Sequence, residues 1–273
     1  MIRFENVSFG YTRERETIKN LSFHIKKGEF VALIGANGAG KSTISRLTNG
    51  LLQPTGGHVY LNGKDTQTTP SSVLAKDCGF LFQNPDRQIC ENTVRDEIAF
   101  SMKAQGWPKD KIYEHVNAAL ETFSLDPEWF PFSRSRGERQ RIALAGVLAC
   151  EPGLLILDEP TTGLDYLECT HIMDYVTKLN QEKGITVLMV SHDMELVQSY
   201  ARRVLVLNHG TLMGDGPTNQ IMKDAPLLKS ARVLPAQIPE LALRFGDRFR
   251  DIYTVEGMFA ALYSMNINVE EGD

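Results

Sequence analysis

The run Gly35-Ala36-Asn37-Gly38-Ala39-Gly40-Lys41-Ser42-Thr43 has the residue types and spacing that surround a polyphosphate. It fills the Gly-x-x-x-x-Gly-Lys-Ser frame of the Walker A loop, in which backbone N–H groups and a helix N-terminus converge on one anion. Gly35, Gly38 and Gly40 permit backbone conformations and close approach that a side chain would block. Ala36, Asn37 and Ala39 supply the rest of the cradle. Lys41 is expected to reach the β- and γ-phosphates and Ser42 to offer its hydroxyl to Mg²⁺, with Thr43 one place beyond. The apolar run Phe30-Val31-Ala32-Leu33-Ile34 precedes the frame, so the loop sits at a strand-to-helix junction. Alone, the frame also suits a glycine turn before an ordinary helix.

Asp158 and Glu159 close a second apolar run, Leu154-Leu155-Ile156-Leu157. The ends of buried strands are where α/β folds hold ligand-binding residues. One carboxylate can hold Mg²⁺, directly or through water, and the next can orient and deprotonate an attacking water. Asp158 is therefore the expected metal ligand. Glu159 is the expected general base, the residue whose loss stops turnover while sparing binding. The plain structural reading, a strand-end Asp-Glu before a Pro160 turn, loses weight once the phosphate loop upstream is considered.

These residues need a scaffold, and the sequence outlines one. Ile2-Arg3-Phe4 and Leu21-Ser22-Phe23-His24-Ile25 alternate apolar and polar residues as half-buried antiparallel strands do, with Tyr11 to Glu16 read as a charged turn between them. His58 to Gly63 and Cys78 to Gln83 give two further short strands, so the core sheet is expected to be mixed. From about residue 84 to 150 the pattern becomes helical, clearest over Thr93 to Met102, Lys111 to Phe123 and Gly137 to Cys150. Leu154 to Asp158 and Ile185 to Val190 are continuous apolar runs, which suits parallel strands buried on both faces. Ile172, Tyr175, Val176 and Leu179 between them fall at helical spacing, and Gly184 stops that helix. Ala201 to Asn208 and Thr211 to Gly216 read as a hairpin turning at His209-Gly210. The expected organisation is a core domain over 1–225 with an inserted helical block, then a separate extension of one or two helices over 226–273.

Composition narrows the function classes. The chain has 273 residues, 42% of them hydrophobic, enough for one substantial core and a smaller appended unit. A formal net charge of −5 without a basic block argues against nucleic acid as a partner. Cys78, Cys90, Cys150 and Cys169 form no C-x-x-C pair, and the first residues lack the apolar core of a secretory signal, so reduced thiols in cytoplasm are expected. The longest apolar stretches are too short to cross a bilayer, so a membrane role must come through a partner.

Together the motifs over residues 1–225 resemble the ATPase subunits of ATP-binding cassette (ABC) transporters. Gln83, Ser133-Arg134-Ser135-Arg136-Gly137-Glu138, Thr162-Gly163-Leu164-Asp165 and Ser191-His192-Asp193 occur in the order of that family's glutamine loop, signature, D-loop and switch histidine. The resemblance implies an α/β P-loop NTPase core with a mixed sheet and an inserted α-helical subdomain. It implies ATP and Mg²⁺ as ligands and ATP hydrolysis as the reaction. It gives Gln83 a place beside the Mg²⁺ and attacking water, His192 a γ-phosphate contact, and Tyr11 an adenine-stacking role. Outside that context, Gln83 and Tyr11 are ordinary strand-end residues. Ser135 and Gly137 would face the γ-phosphate bound on a partner ATPase, and Asp165 would lie at the same composite site. Ser135 to Glu138 also reads simply as a capping box at a helix start. Arg136 departs from the family's glycine, and either crowds the composite site or adds positive charge to it.

Phe82-Gln83-Asn84-Pro85-Asp86-Arg87-Gln88 is similar to a segment of the energy-coupling-factor (ECF) branch, whose members drive uptake of vitamins and transition-metal ions. That resemblance implies a second ABC ATPase subunit as partner, in a heterodimer or else a homodimer. It also implies a transmembrane T-component, a substrate-binding S-component, and a peripheral position on the cytoplasmic face of the membrane. Pro226-Leu227-Leu228 and Ile238 to Ala242 are similar to the branch's C-terminal pairing extension, and equally to a plain capping helix. The competing readings are a conventional binding-protein-dependent importer and a non-transport nucleotide switch.

Overall fold

The computed structural model describes residues 1–161, 163–246, 249 and 251–267. The first part runs β1 (Ile2–Thr12), β2 (Arg15–Ile25), β3 (Phe30–Gly35), α1 (Lys41–Thr48), β4 (Gly56–Leu61), β5 (Lys64–Asp65), α2 (Ser71–Leu74) and β6 (Cys78–Leu81). Three long helices follow, α3 (Val94–Ala104), α4 (Lys109–Thr122) and α5 (Arg136–Leu148), then β7 (Leu154–Asp158), α6 (Tyr166–Lys183), β8 (Thr186–Val190) and α7 (Met194–Tyr200). The chain closes with β9 (Arg203–Asn208), β10 (Thr211–Pro217), α8 (Thr218–Ile221), α9 (Ala225–Ser230), α10 (Gln237–Phe245) and α11 (Val255–Ile267).

The strands form two sheets. One is antiparallel, in the order β2-β1-β4-β5. The other has the order β10-β9-β3-β8-β7-β6, parallel from β9 to β6 with β10 antiparallel at its edge. The mixed sheet is thus present, but the N-terminal strands belong to a separate layer. Every residue of β3, β7 and β8 is buried. Side chains alternate across a strand, so one run of residues serves two cores. Phe30, Ala32, Ile34, Leu155, Leu157, Val187 and Met189 pack toward the helices, joining Ile98, Met102, Ile142, Leu144, Met173 and Val176. Val31, Leu33, Leu154, Ile156, Leu188 and Val190 pack toward Phe4, Ile18 and Val59 of the antiparallel sheet and Ile44 and Leu47 of α1. This is why the apolar runs are continuous rather than alternating.

Several boundaries differ from the sequence reading. The charged turn shrinks to residues 13 and 14, because Tyr11 and Thr12 extend β1 while Arg15 and Glu16 begin β2, paired through Thr12 and Arg15. Leu228, Ala231 and Ala236, past residue 226, pack into the helix-side core. A small cluster of Ala242, Phe249 and Met258 holds α10 and α11 together beyond it. The hairpin of β9 and β10 turns at His209-Gly210 as expected, and Gly184 ends α6 with φ +66°.

Candidate functional site

The parallel strands β3, β7 and β8 are neighbours, and their C-terminal ends open on one side of the sheet. Gly35 ends β3 against Leu207 of β9 with φ +150°, and a Cβ there would lie 2.2 Å from the Leu207 carbonyl oxygen. Gly40 starts α1 with φ +107°, and a Cβ would meet Ile18 Cδ1 at 2.6 Å. Between these two positions the loop curls on itself, with the Ala39 N–H donating to the Ala36 carbonyl at 3.0 Å.

The Lys41 ammonium donates to the carbonyls of Gly35 (2.7 Å) and Ala36 (3.1 Å), folded across the loop it belongs to. Burial lowers its pKa, while the charges of Glu159 and Asp158 work in the opposite direction. Ser42 Oγ donates to Asp158 Oδ1 at 3.2 Å. Asp158, at the buried end of β7, has its carboxyl pKa pushed up by desolvation, with the Ser42 hydrogen bond opposing that shift.

Glu159 leaves the strand in a left-handed conformation, φ +53°, with its N–H donating to the Val190 carbonyl of β8 at 2.9 Å. Its carboxylate joins three chain segments. Oε2 accepts from Gln83 Nε2 at 2.5 Å, and Oε1 lies 3.2 Å from His192 Nδ1. Gln83 follows β6, Glu159 follows β7 and His192 follows β8, so the register of three adjacent parallel strands brings them together. Asp193 N-caps α7 by accepting from the N–H groups of Glu195 and Leu196, fixing the turn that carries His192. Tyr11 stands exposed at the rim, its hydroxyl 3.2 Å from Thr43 Oγ1 and its ring edge-on to Phe9.

Asn37, Gly38, Gly40, Lys41, Ser42, Thr43, Tyr11, Gln83, Glu159 and His192 line one cleft of about 590 Å³; Asp158 and Ala39 lie behind this lining, and Gly35 and Ala36 face a neighbouring hollow. Thr17 lines the cleft too. No local pattern in the sequence marks Thr17; it reaches the cleft because β2 passes beside the loop, close enough for its carbonyl to lie 3.4 Å from a Cβ built on Gly40. Among the described residues no group of three or more His, Cys, Asp or Glu side chains is placed to hold a metal. The Ser42 hydroxyl and Asp158 carboxylate do offer two hard oxygen donors side by side. That set fits Mg²⁺, which takes few protein ligands and completes its shell with water and phosphate oxygens. A separate cavity of about 540 Å³ between α4 and α6, lined by Phe123, Tyr175 and Leu179 among others, lies away from all of these groups.

Ser135, Gly137 and Asp165 do not line the cleft. Ser135 N-caps α5, its Oγ accepting from the Glu138 N–H at 3.2 Å while Glu138 Oε2 accepts from the Ser135 N–H at 2.8 Å. Gly137 is buried under α6, where a Cβ would lie 2.7 Å from Glu168 Oε2. Asp165 N-caps α6, accepting from the Glu168 N–H at 2.8 Å. Arg136 lies across Gly163 of the same chain, its Cδ 2.8 Å from where a Cβ would stand. The starts of α5 and α6 thus form a surface of their own.

Residues 18–162 match the family described as "ABC transporter". A protein named "Putative ABC transporter ATP-binding protein" from Vibrio vulnificus strain CMCP6 is 36% identical over 246 residues, 89% of this chain and 43% of the relative. The chain spans less than half the length of the first relatives it matches. A protein named "Energy-coupling factor transporter ATP-binding protein EcfA2" from Acetivibrio thermocellus is 37% identical over 246 residues, 89% of this chain and 88% of that one. Among solved structures, cbiO1 from Clostridium perfringens, described as part of the ABC transporter complex cbiONQ, has a TM-score of 0.75 at 29% identity, covering 89% of this chain and 98% of cbiO1. The ATP-binding cassette MJ0796, a dimer bound to ADP and Pi, has a TM-score of 0.72 at 28% identity, covering 80% of this chain and 99% of that one.

Proposed function

We propose, because this chain belongs to the ABC transporter family, that it binds and hydrolyses Mg-ATP and energises membrane uptake of a micronutrient through an ECF-type transporter. The observation that carries the hydrolytic part is the Glu159 carboxylate held between Gln83 and His192 in the cleft that contains the phosphate loop. The similarity to an EcfA2 and to cbiO1 supports the ECF branch, as does the segment after Gln83. In that segment Asn84 caps a single 3-10 turn, Pro85–Arg87. Beside it lies a groove lined by Phe82, Arg87, Gln88, the exposed Phe100 and Gln105, the place this reading gives to helices of a transmembrane T-component.

In this mechanism Lys41 leaves the Gly35 and Ala36 carbonyls for the β- and γ-phosphates, and the loop N–H groups bind the same anion. Tyr11 offers a ring face to the adenine. Ser42 and Asp158 would hold Mg²⁺, whose charge would offset that of the phosphates when bound. Glu159 takes the proton of the attacking water, Gln83 orients that water and the carboxylate together, and His192 contacts the γ-phosphate. Ser135 and Gly137 of this chain face the γ-phosphate held by a second ABC ATPase across a dimer, with Asp165 beside that composite site, and the second subunit's signature completes the site of this chain. The closed pair is favoured only by the differential affinity of ATP for closed over open. The core over 1–225 carries this chemistry, the helical block over 84–150 passes motion to the membrane partner, and residues 226–273 serve pairing. An S-component selects the substrate, and this chain sits peripherally on the cytoplasmic face of the membrane.

The test is direct. Glu159→Gln lowers turnover by about 10²- to 10⁴-fold while nucleotide binding, read by a fluorescent ATP analogue, stays near the parent value. Lys41→Ala abolishes that binding. Full ATP affinity and hydrolysis in Lys41→Ala would overturn the proposal. Co-purification of the tagged chain from membrane extract with a small hydrophobic subunit supports the ECF branch, whereas ribosomes or DNA in its place would reject it.

A further inference from the structure

Helix α5 is fastened to both sides of the Glu159 corner. On one side, Arg139 Nε lies 2.7 Å from Asp86 Oδ1, an ion pair set off the axis of a hydrogen bond, with Arg139 mostly buried and Asp86 half-exposed. The same guanidinium donates through Nη1 to the Arg134 carbonyl, just before the N-cap of α5. Asp86 is held in turn, its N–H donating to Asn84 Oδ1 at 3.1 Å. Three residues earlier stands Gln83, on Glu159. On the other side, the buried Gln140 donates through Nε2 to the Pro160 carbonyl at 3.3 Å, one residue past Glu159. One turn further along α5, the Ala143 carbonyl accepts from Gln88 Nε2 at 3.5 Å, and Gln88 Oε1 accepts from the Phe82 N–H at 3.1 Å.

These contacts close a ring. It runs from Glu159 to Gln83, along the chain to Asp86, across to Arg139, through α5 to Gln140, and back by Pro160 to Glu159. We infer that Arg139 is a positioning residue for hydrolysis: by pairing with Asp86 and the Arg134 carbonyl, it sets where Gln83 meets Glu159 and where the Ser135 end of α5 stands. The inference rests on the ABC ATPase reading. A chain of charge and hydrogen-bond contacts transmits position only where each link has one geometry; here Gln140 is buried, Arg139 is mostly buried and Asp86 is fixed by its N–H on Asn84, while Gln83 is the exposed link that the others must hold. Arg suits the link because one planar guanidinium can serve two acceptors in fixed directions.

The test uses the full chain with Arg139→Met, Asp86→Asn, and the exchange Asp86→Arg/Arg139→Asp. Misplacement of a catalytic pair by a fraction of an ångström to 1 Å lowers turnover steeply. Each single variant is therefore expected to lose about tenfold in kcat, with KM and nucleotide affinity within about twofold of the parent. The exchange variant restores the ion pair but not the donation to the Arg134 carbonyl, so it recovers turnover above either single variant without reaching the parent, the non-additivity expected of a coupled pair. Unchanged kcat in both single variants, or an exchange no better than either, would overturn the inference. A parent chain that binds no ATP would overturn the ATPase reading and this inference with it. A general loss of packing would instead lower the melting temperature and would not be rescued by exchange.

Discussion

Asp158 illustrates how a functional residue strains the fold that holds it. Its pKa is raised mainly by desolvation, so near neutral pH the folded chain holds a carboxylate that it would more readily keep protonated. A carboxyl whose folded pKa lies above its unfolded value costs stability where it is ionised, and that cost disappears as pH falls through the raised value. Asp158→Asn is therefore expected to raise the melting temperature of the ligand-free chain at pH 7. The gain over the parent shrinks as the pH is lowered into the acid range. The same variant is expected to weaken Mg-dependent nucleotide binding. Thermal melts at several pH values with and without Mg-ATP check both halves. The residue types of this corner were legible because the phosphate loop and the Asp-Glu pair each obey a local pattern. The side chains that tie the corner to α5 were not. Arg139 and Asp86 are 53 positions apart and nothing near either one announces the other.

At the scale of elements, α5 shows a local signal and a tertiary one superposed. Ser135 and Glu138 form the capping box that the sequence suggested, and the helix begins where that box places it. Losing such a cap costs about 1 kcal/mol. Ser135→Ala is thus expected to lower stability by that order and to speed amide exchange at Gly137 and Glu138, read by hydrogen exchange. A Ser135→Asn control, which keeps an N-cap acceptor, is expected to retain the protection. The parallel strands were legible because continuous apolar runs fit a sheet covered on both faces. The division into two sheets was not, because alternating Ile2-Arg3-Phe4 reads alike at the edge of one sheet or in a layer of its own. The turn at Tyr11 to Glu16 was misplaced because charged residues on an exposed antiparallel pair resemble a loop. Their solvent face suits those residues, and the pairing of Gly10 with Glu16 and of Thr12 with Arg15 continues past them.

Across the whole molecule, the last helices stand apart from the main core. The helix-side core ends at Ala236, and α10 and α11 share only the small cluster of Ala242, Phe249 and Met258 among the described residues. Leu234, Leu241, Phe245, Phe259 and Tyr263 remain exposed. Among the described residues, contacts back to the body include the Gln237 N–H to Glu195 Oε1 at 2.6 Å, Lys223 Nζ to Asp251 at 3.1 Å and over the Tyr253 ring, and Gln198 Nε2 to the Tyr253 carbonyl. Ending the chain after Ala236 is therefore expected to shift the melting temperature by only a few degrees and to leave ATP affinity unchanged, measured by melting and by analogue binding. The proposed pairing with a second ATPase is expected to weaken, measured by the mass of the ATP-bound Glu159→Gln form in solution. Pro226 is a strong local breaker and was legible in the sequence, whereas the burial of Leu228 and Ala231 depends on distant segments and was not.

The ammonium of Lys41 resting on the carbonyls of Gly35 and Ala36 has a consequence for how the cleft fills. Because that ammonium already has two acceptors in its own loop, binding an anion there would be an exchange of partners for Lys41. Capture then depends on how readily one cation changes its allegiance.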